Sequence, residues 1–411
     1  MADWIRTTPA LEGQIMPGKR GYRVCTRCVM DTTMVEIDFD HDGVCNFCRG
    51  FDLNVTARQQ TPEVCAHKLE AMIAQMKADG RGRDYDCVLG LSGGVDSSYL
   101  ALKCKDWGVR PLVVQFDNGW NTELANHNIQ SICEKLGFDL FTYVVDWPEF
   151  RDLQLSFLKA GVANVEAPSD HGIFACIYRT ARQHRIGWLL SGVNNATEAC
   201  CPVGPKTKEH FSYGYRYADL HHLRALHRRF GTVPLKTFPA MGLFERIWME
   251  RKHLKRCDPL NLMPYDKKAA IVELEQRIGW RRYGGKHFES VITRFHQSCI
   301  LPRKFGLDKR RLHLSGLIWS GQLDRASAMR ELEQPPCPAE LVEQDRQFFM
   351  KKLGLGQAEY NAIMQAPAKT YGDYPNQNWL FNNLPRFTAA IRKILTPFRT
   401  GPAANPAKAK P

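Results

Sequence analysis

The sequence predicts an α/β protein: a five-stranded parallel sheet, with a cysteine-rich lobe before it and a mostly helical region after it. Three observations carry this. Short apolar runs of strand length recur at 86–91, 111–116, 140–145 and 188–191, with helical stretches between them. Two Cys-x-x-Cys pairs precede the first run, and basic, aromatic-rich segments of helical pattern follow the last. Strands alternating with helices make right-handed βαβ units, and ligands of such sheets bind outside the carboxyl ends of the strands.

Composition bounds the function. A chain of 411 residues can bury a sizeable core and hold two or three domains. The 56 basic against 43 acidic residues give a formal charge of +13, which suits phosphorylated small molecules or RNA. No apolar run is long enough to span a bilayer, and the first residues lack a secretory apolar stretch, so the expected location is cytoplasmic and no membrane partner is expected. Fourteen cysteines in such a chain point to metal ligation and buried thiols, not to a disulfide framework.

Residues 1–20 read as an arm without periodicity, and residues 21–52 as a zinc-binding lobe. There Cys25 and Cys28 form one pair and Cys45 and Cys48 the other, with 16 residues between the pairs. Four thiolates at this spacing suit a closed, tetrahedral structural zinc, and an iron–sulfur cluster is the alternative occupant. The segment 35–39 between the pairs has strand character. A lobe this small buries too little apolar surface to fold without metal. Residues 53–240 are assigned to the nucleotide-binding domain, opening with a helical pattern that Gly80-Arg81-Gly82-Arg83 ends.

The organising stretch is 85–101, YDCVLGLSGGVDSSYLA. A buried strand runs into Ser92-Gly93-Gly94-Val95, and Asp96, Ser97 and Ser98 open a helix. Glycines let backbone N–H groups approach a ligand closely, and a helix N-terminus favours an anion. The serine hydroxyls add donors, and Asp96 is a candidate magnesium ligand. No Gly-Lys-Ser/Thr follows, so this is not a Walker loop. The second strand ends in Asp117-Asn118-Gly119, which falls beside the loop at the carboxyl edge. The strand at 188–191 ends in Ser191-Gly192-Val193-Asn194-Asn195, making Gly192, Asn194, Asn195 and Glu198 candidates for nucleotide, magnesium or substrate. Helices are expected at 149–160 and 171–185, with Glu166, Asp170 and His171 in a loop that closes over the site. The fifth strand is placed at 233–238.

Residues 241–345 are assigned to a helical substrate-binding region, and 346–411 to a helical segment with a low-complexity tail. The former carries Lys286 and His287 in a glycine loop, and a basic cluster of Lys304, Lys309, Arg310 and Arg311. Arg and Lys here suit a diphosphate or a carboxylate.

SGGVDSS resembles the loop of the PP-loop ATP pyrophosphatases, the adenine nucleotide alpha hydrolase-like fold. FDNG resembles the adenosine-contacting strand end of relatives such as GMP synthetase. With the cysteine pairs, SGxNxxxE, GGKHxES and LPxKFGxDKRRxHLSxLIxSGQ, the chain resembles the N-acetyl sugar amidotransferases of lipopolysaccharide O-antigen biosynthesis over most of 21–335. The resemblance implies an ATP-dependent ligase that releases AMP and pyrophosphate. It would adenylate the acetamido carbonyl of a nucleotide-activated sugar and let ammonia displace AMP, giving an acetamidino sugar. It implies ATP and Mg²⁺, with catalytic roles for Asp96, Ser97, Glu198 and Lys286, and substrate contacts from His171, His287 and the basic cluster. The chain shows no glutaminase nucleophile segment, so the ammonia would come from a separate glutaminase with a cyclase-like companion. A tRNA-thiolating PP-loop enzyme is the alternative; it needs a catalytic cysteine, Cys176 or Cys200, and no RNA-binding module is recognisable.

Overall fold

The computed structural model describes residues 21–34, 36–197, 219–380 and 383. Glu198, Cys200 and the arm at 1–20 lie outside the described residues. Helix starts follow capping chemistry: Thr61, Thr122, Asp146, Asp219, Asp266 and Asp324 each accept a hydrogen bond from a backbone N–H in the first turn. Left-handed Gly137, Gly161, Gly279, Gly306 and Gly354 stop the helices that precede them.

In chain order the elements are α1 (Asn46–Asn54), α2 (Pro62–Asp79), β1 (Cys87–Gly90), α3 (Val95–Asp106), β2 (Pro111–Asp117), α4 (Glu123–Leu136), β3 (Leu140–Val144) and α5 (Trp147–Ala160). Next come α6 (Ala167–Gln183), β4 (Trp188–Leu190), α7 (Leu220–Phe230), α8 (Leu243–Lys252), β5 (Lys255–Cys257) and α9 (Lys267–Ile278). The last group is α10 (Val291–Phe295), α11 (Leu301–Phe305), α12 (Arg310–Trp319), α13 (Arg325–Glu333), α14 (Ala339–Leu353) and α15 (Gln357–Gln365). A single π-helical turn, His296–Ile300, joins α10 to α11.

The five strands form one parallel sheet in the order β3-β2-β1-β4-β5, with helices on both faces. Strand alternation divides the core. Val88, Leu112, Val114, Phe116 and Leu189 face α5 and α6, while Cys87, Leu89, Val113 and Leu190 face α3, α4 and α9. β1 is central, so the loop that follows it opens in the middle of the carboxyl edge.

Two expectations about strands are corrected. The fifth strand is Lys255–Cys257, not 233–238. The backbone N–H groups of Lys236, Thr237 and Phe238 donate to the Glu149 carboxylate, and those of Thr232 and Val233 to Asp152, so α5 side chains satisfy them in place of a ladder. Between the cysteine pairs no strand forms among the described residues, only the isolated bridges Val24–Asp31 and Phe39–Cys45.

The C-terminal helices are fastened to the core by a buried ion pair. Arg294 on α10 donates from Nε and Nη2 to the two oxygens of Asp345 on α14, each at 2.7 Å. Arg294→Ala leaves a buried carboxylate without its cation, and urea unfolding is expected to show a loss of about 3–5 kcal/mol.

Candidate active site

After β1 the chain turns through Gly93 at φ +80°, a region closed to most side chains. A Cβ there would also lie 3.0 Å from the Ala125 carbonyl oxygen. The Gly93 carbonyl accepts from Trp280 Nε1 and from the Tyr283 hydroxyl, each at 3.0 Å, so the loop is braced from the segment that follows α9. Gly94 caps α3, and the helix presents its N-terminus at the sheet edge. The end of β4 passes so close that a Cβ on Gly192 would sit 3.0 Å from the Ser97 amide nitrogen.

Asp96 is held by three donors. Its Oδ1 accepts from Asn194 Nδ2 at 3.0 Å, from Thr197 Oγ1 at 3.1 Å and from the Tyr265 hydroxyl. Among the described residues Oδ2 has no partner, which leaves one hard oxygen ligand beside the loop. One or two carboxylates plus phosphate oxygens and water is the usual magnesium environment, so Asp96 fits that ion.

Two cavities meet at the loop. The smaller, about 420 Å³, is lined by Gly94, Asp96, Ser97 and the cationic Lys267, Arg282 and Lys286. The larger, about 1040 Å³, runs from the apolar ends of β1, β2 and β4 past α6 and α8 to the cysteine lobe. Ser92, Ser191, Gly192, His287 and Glu289 line both. Lys286 Nζ donates to the Thr197 carbonyl at 2.8 Å. His287 Nδ1 lies 3.4 Å from Glu289 Oε1, and the His287 ring lies 5.1 Å from that of His313. Burial pushes the Glu289 carboxyl up, but its hydrogen bond to His287 and the charges of His287 and Lys286 hold it below the usual carboxylate range. Burial, with the charges of Lys286, His287 and Lys309, pushes the His313 imidazolium far down, leaving that ring neutral.

Deeper in the larger cavity, Glu166 accepts from the Thr293 hydroxyl, and His296 places Nδ1 at 3.2 Å from Glu166 Oε2 and Nε2 at 2.7 Å from the Ala163 carbonyl. Both ring nitrogens of His296 thus face oxygen acceptors. Burial opposes ionisation of Glu166, yet His296 and Lys309 hold it at about 2. Asp170, one turn along α6, is pushed up to about 7 by burial and by the Glu166 charge. The folded chain therefore keeps this proton where the unfolded chain, with an aspartate near about 3.9, has lost it. Its contribution to stability falls as pH rises from about 4 to about 7. Asp170→Asn is expected to flatten that fall, so that Tm measured at pH near 8 exceeds the wild-type value.

Several expected contacts are corrected. Glu166, Asp170 and His171 are not in a closing loop, because α6 begins at Ala167 with Glu166 as its N-cap. His171 is buried, and its Nε2 accepts from the Met241 amide. Ser98 faces the core. Asp117 lines neither cavity and accepts from the Gly119 amide at 2.8 Å, within its own turn. Asn118 lines the larger cavity, but its amide is taken by Ser169 Oγ and the Trp120 N–H. Lys304 is buried in α11, donating to the Ile363 and Ala366 carbonyls, and burial lowers it to about 8. Arg310 is bound by Asp308 and by the Glu331 and Gln334 carbonyls. Arg311 lines the larger cavity but pairs with Asp31 at 2.9 Å and donates to the Val29 carbonyl. Of the basic cluster, Lys309 lines the cavity, and among the described residues no hydrogen-bond partner is fixed on its ammonium. Cys176 is buried and burial pushes its thiol up to about 11, which disfavours the nucleophile a thiolase needs.

Sequence reading gave no role to Tyr265, Thr197, Lys267, Trp280, Tyr283, Glu289 or His296. Of these, Thr197 stood inside SGxNxxxE, Tyr283 at the start of the glycine loop that carries Lys286 and His287, and Glu289 inside GGKHxES.

The four cysteines form one cluster. All are fully buried, and their sulfurs lie within 4.8 Å of one another. Neighbouring sulfurs are 3.6–3.8 Å apart. A tetrahedron with sulfurs about 2.3 Å from a central ion has edges of about 3.8 Å, so the set fits one zinc and is too tight for a multi-iron cluster. Donors point at the sulfurs, among them the Cys45 amide to Cys25 at 3.2 Å and Trp319 Nε1 to Cys48 at 3.1 Å. The lobe also walls the larger cavity through Met30, Asp31, Thr33 and Met34.

Residues 289–387 match the family model described as LPS biosynthesis protein WbpG-like, C-terminal domain. No curated protein matches the chain. Among solved structures, NMN synthetase from Francisella tularensis is similar at 13% identity and a TM-score of 0.33, covering 72% of this chain and 98% of that one. Among the described residues no helix is long and apolar enough to cross a membrane.

Proposed function

We propose that this chain, in which a parallel sheet with the SGGVDSS loop at its carboxyl edge precedes a segment matching a WbpG-like lipopolysaccharide-biosynthesis C-terminal domain, is an ATP-dependent amidotransferase acting on a nucleotide-activated N-acetyl sugar. ATP adenylates the acetamido oxygen, and ammonia replaces AMP to give an acetamidino group. The observation that carries this reading is the meeting of two unlike cavities at the Ser92-Gly93-Gly94 loop. The small chamber, with Lys267, Lys286 and the N-terminus of α3, suits a departing pyrophosphate. The large chamber has the size and the apolar strand-end floor for the adenosine and the sugar substrate. Their junction is then where an α-phosphate would meet an acetamido oxygen.

An amide oxygen is a poor leaving group, and adenylation turns it into a good one. Magnesium, when bound through Asp96, would neutralise phosphate charge. The chain's own parts do the rest. Loop N–H groups and Ser97 orient the phosphates, and Lys286 and Lys267 offset the charge of the leaving pyrophosphate. Structural zinc, cytoplasmic location, and ammonia supplied by a separate glutaminase with a cyclase-like companion belong to the same reading.

The test is a product assay. Purified protein is incubated with ATP, Mg²⁺, ammonium and a panel of nucleotide N-acetyl sugars, and AMP, pyrophosphate and sugar mass are followed. Coupled AMP release and exchange of oxygen for NH in the sugar support the reading, and addition of glutaminase and glutamine tests the partner. ADP as the product, or sulfur transfer to bulk tRNA, overturns it.

A further inference from the structure

We propose that His287, oriented by Glu289, takes the proton that the attacking nitrogen must lose; this rests on the amide-adenylating reading above. His287 lines both cavities, so its ring stands where the two halves of the reaction meet. Its Nδ1 faces Glu289 Oε1 at 3.4 Å, and among the described residues Nε2 has no protein partner. A carboxylate on one ring nitrogen and an open site at the other is the arrangement of a general base.

The backbone supports the assignment. His287 has φ +63°, in the left-handed region, where a residue with a side chain costs about 1–2 kcal/mol. Such strain persists only where the surroundings fix it, and here they do. The Glu289 carbonyl accepts from the Thr122 amide at 2.9 Å, the Val291 amide donates to the Trp120 carbonyl at 2.9 Å, and Asn121 bridges Ser290. The dyad is thus stapled to the loop after β2. Neighbouring groups leave the role to His287. Lys286 is a cation already donating to Thr197, and His313, whose ring lies 5.1 Å away, lines neither cavity. Asp170 lines the larger cavity but not the smaller one.

The step balances. The ammonia lone pair forms a C–N bond to the carbon of the protonated imidate, and the C=N π pair moves onto the sugar nitrogen. The new ammonium group gives one proton to His287 Nε2. The pair left on nitrogen re-forms a C=N bond as the C–O bond to AMP breaks, and AMP leaves with that bonding pair. The product is an amidinium, and His287 returns its proton to water.

The test uses the full chain and two readouts. Sugar-dependent exchange of labelled pyrophosphate into ATP reports adenylation, and amidino-sugar formation from ammonium reports the second half. His287→Asn suits the position because asparagine tolerates a left-handed backbone. It is expected to keep the exchange and to lose amidine formation by about 100-fold or more, with partial rescue by added imidazole. Glu289→Gln is expected to lower amidine formation by about tenfold while keeping the exchange. Undiminished amidine formation in His287→Asn, or equal loss of both activities, overturns the proposal. Wild-type protein that shows no exchange with any nucleotide N-acetyl sugar overturns the functional reading itself, a failure distinct from one seen only in the variant.

Discussion

Asp96→Asn is expected to fold normally and to lose AMP formation by about 10²–10³-fold or more. Asp96 Oδ1 gathers Asn194, Thr197 and Tyr265, and an asparagine carbonyl in the same place can accept all three. What changes is the second oxygen. Replacing it with an NH₂ group removes the charge and puts donors where a divalent cation and phosphate oxygens would meet. Tm close to wild type with AMP release lost is the outcome that separates a metal-holding role from a structural one. Tyr265→Phe is the useful contrast, since it removes one donor and leaves the carboxylate, so its effect is expected to be smaller. If Asp96→Asn turns over at the wild-type rate, the loop has been misassigned.

Cys28→Ser is expected to have the largest effect on stability. The four sulfurs are enclosed, so the metal bound per chain, measured by mass spectrometry, should fall from one to near zero. Metal binding is folding energy for a lobe of this size; in isolated zinc modules it reaches about 10–16 kcal/mol, and a loss of at least several kcal/mol is expected here. The damage should reach the site. The knuckle after Cys28 supplies Met30 and Asp31 to the larger cavity, and Asp31 pairs with Arg311 there. In chain that survives purification, KM for the sugar nucleotide is expected to rise more than KM for ATP. Retention of one tightly bound metal by the variant would contradict the four-thiolate site.

The parts of the site legible in the sequence are those encoded locally. An apolar run, two glycines and a helix with an acid in its first turn specify the loop within a dozen residues, and the cysteine spacing specifies the lobe. Thr and Asp caps mark helix starts for the same reason. What escaped reading is assembled from afar. Tyr265 reaches Asp96 across 169 positions and Trp280 reaches Gly93 across 187, and neither has a local pattern that announces it. β5 is three residues of Lys-Arg-Cys, too short and too polar for an apolar-run criterion. The basic cluster misled for another physical reason. A guanidinium that looks available to a phosphate in sequence is in the fold already bound, Arg310 by Asp308 and Arg311 by Asp31. Lys304, the most buried of them, serves as a helix-to-helix clamp.

The cysteine lobe is made well before the helices that complete it. Its loop hydrogen-bonds to Ser315 across 286 positions, and its Cys25 carbonyl to Arg325 across 300. Until α12 and α13 have left the ribosome, the lobe can close on a metal ion but has nothing to lean against. The nucleotide loop, by contrast, has its braces Trp280 and Tyr283 and the cations Lys267 and Lys286 before α12 is made. A growing chain is thus able to build its phosphate cradle before it can wall off the chamber where the second substrate would lie, and truncation between α10 and α13 should leave the first without the second.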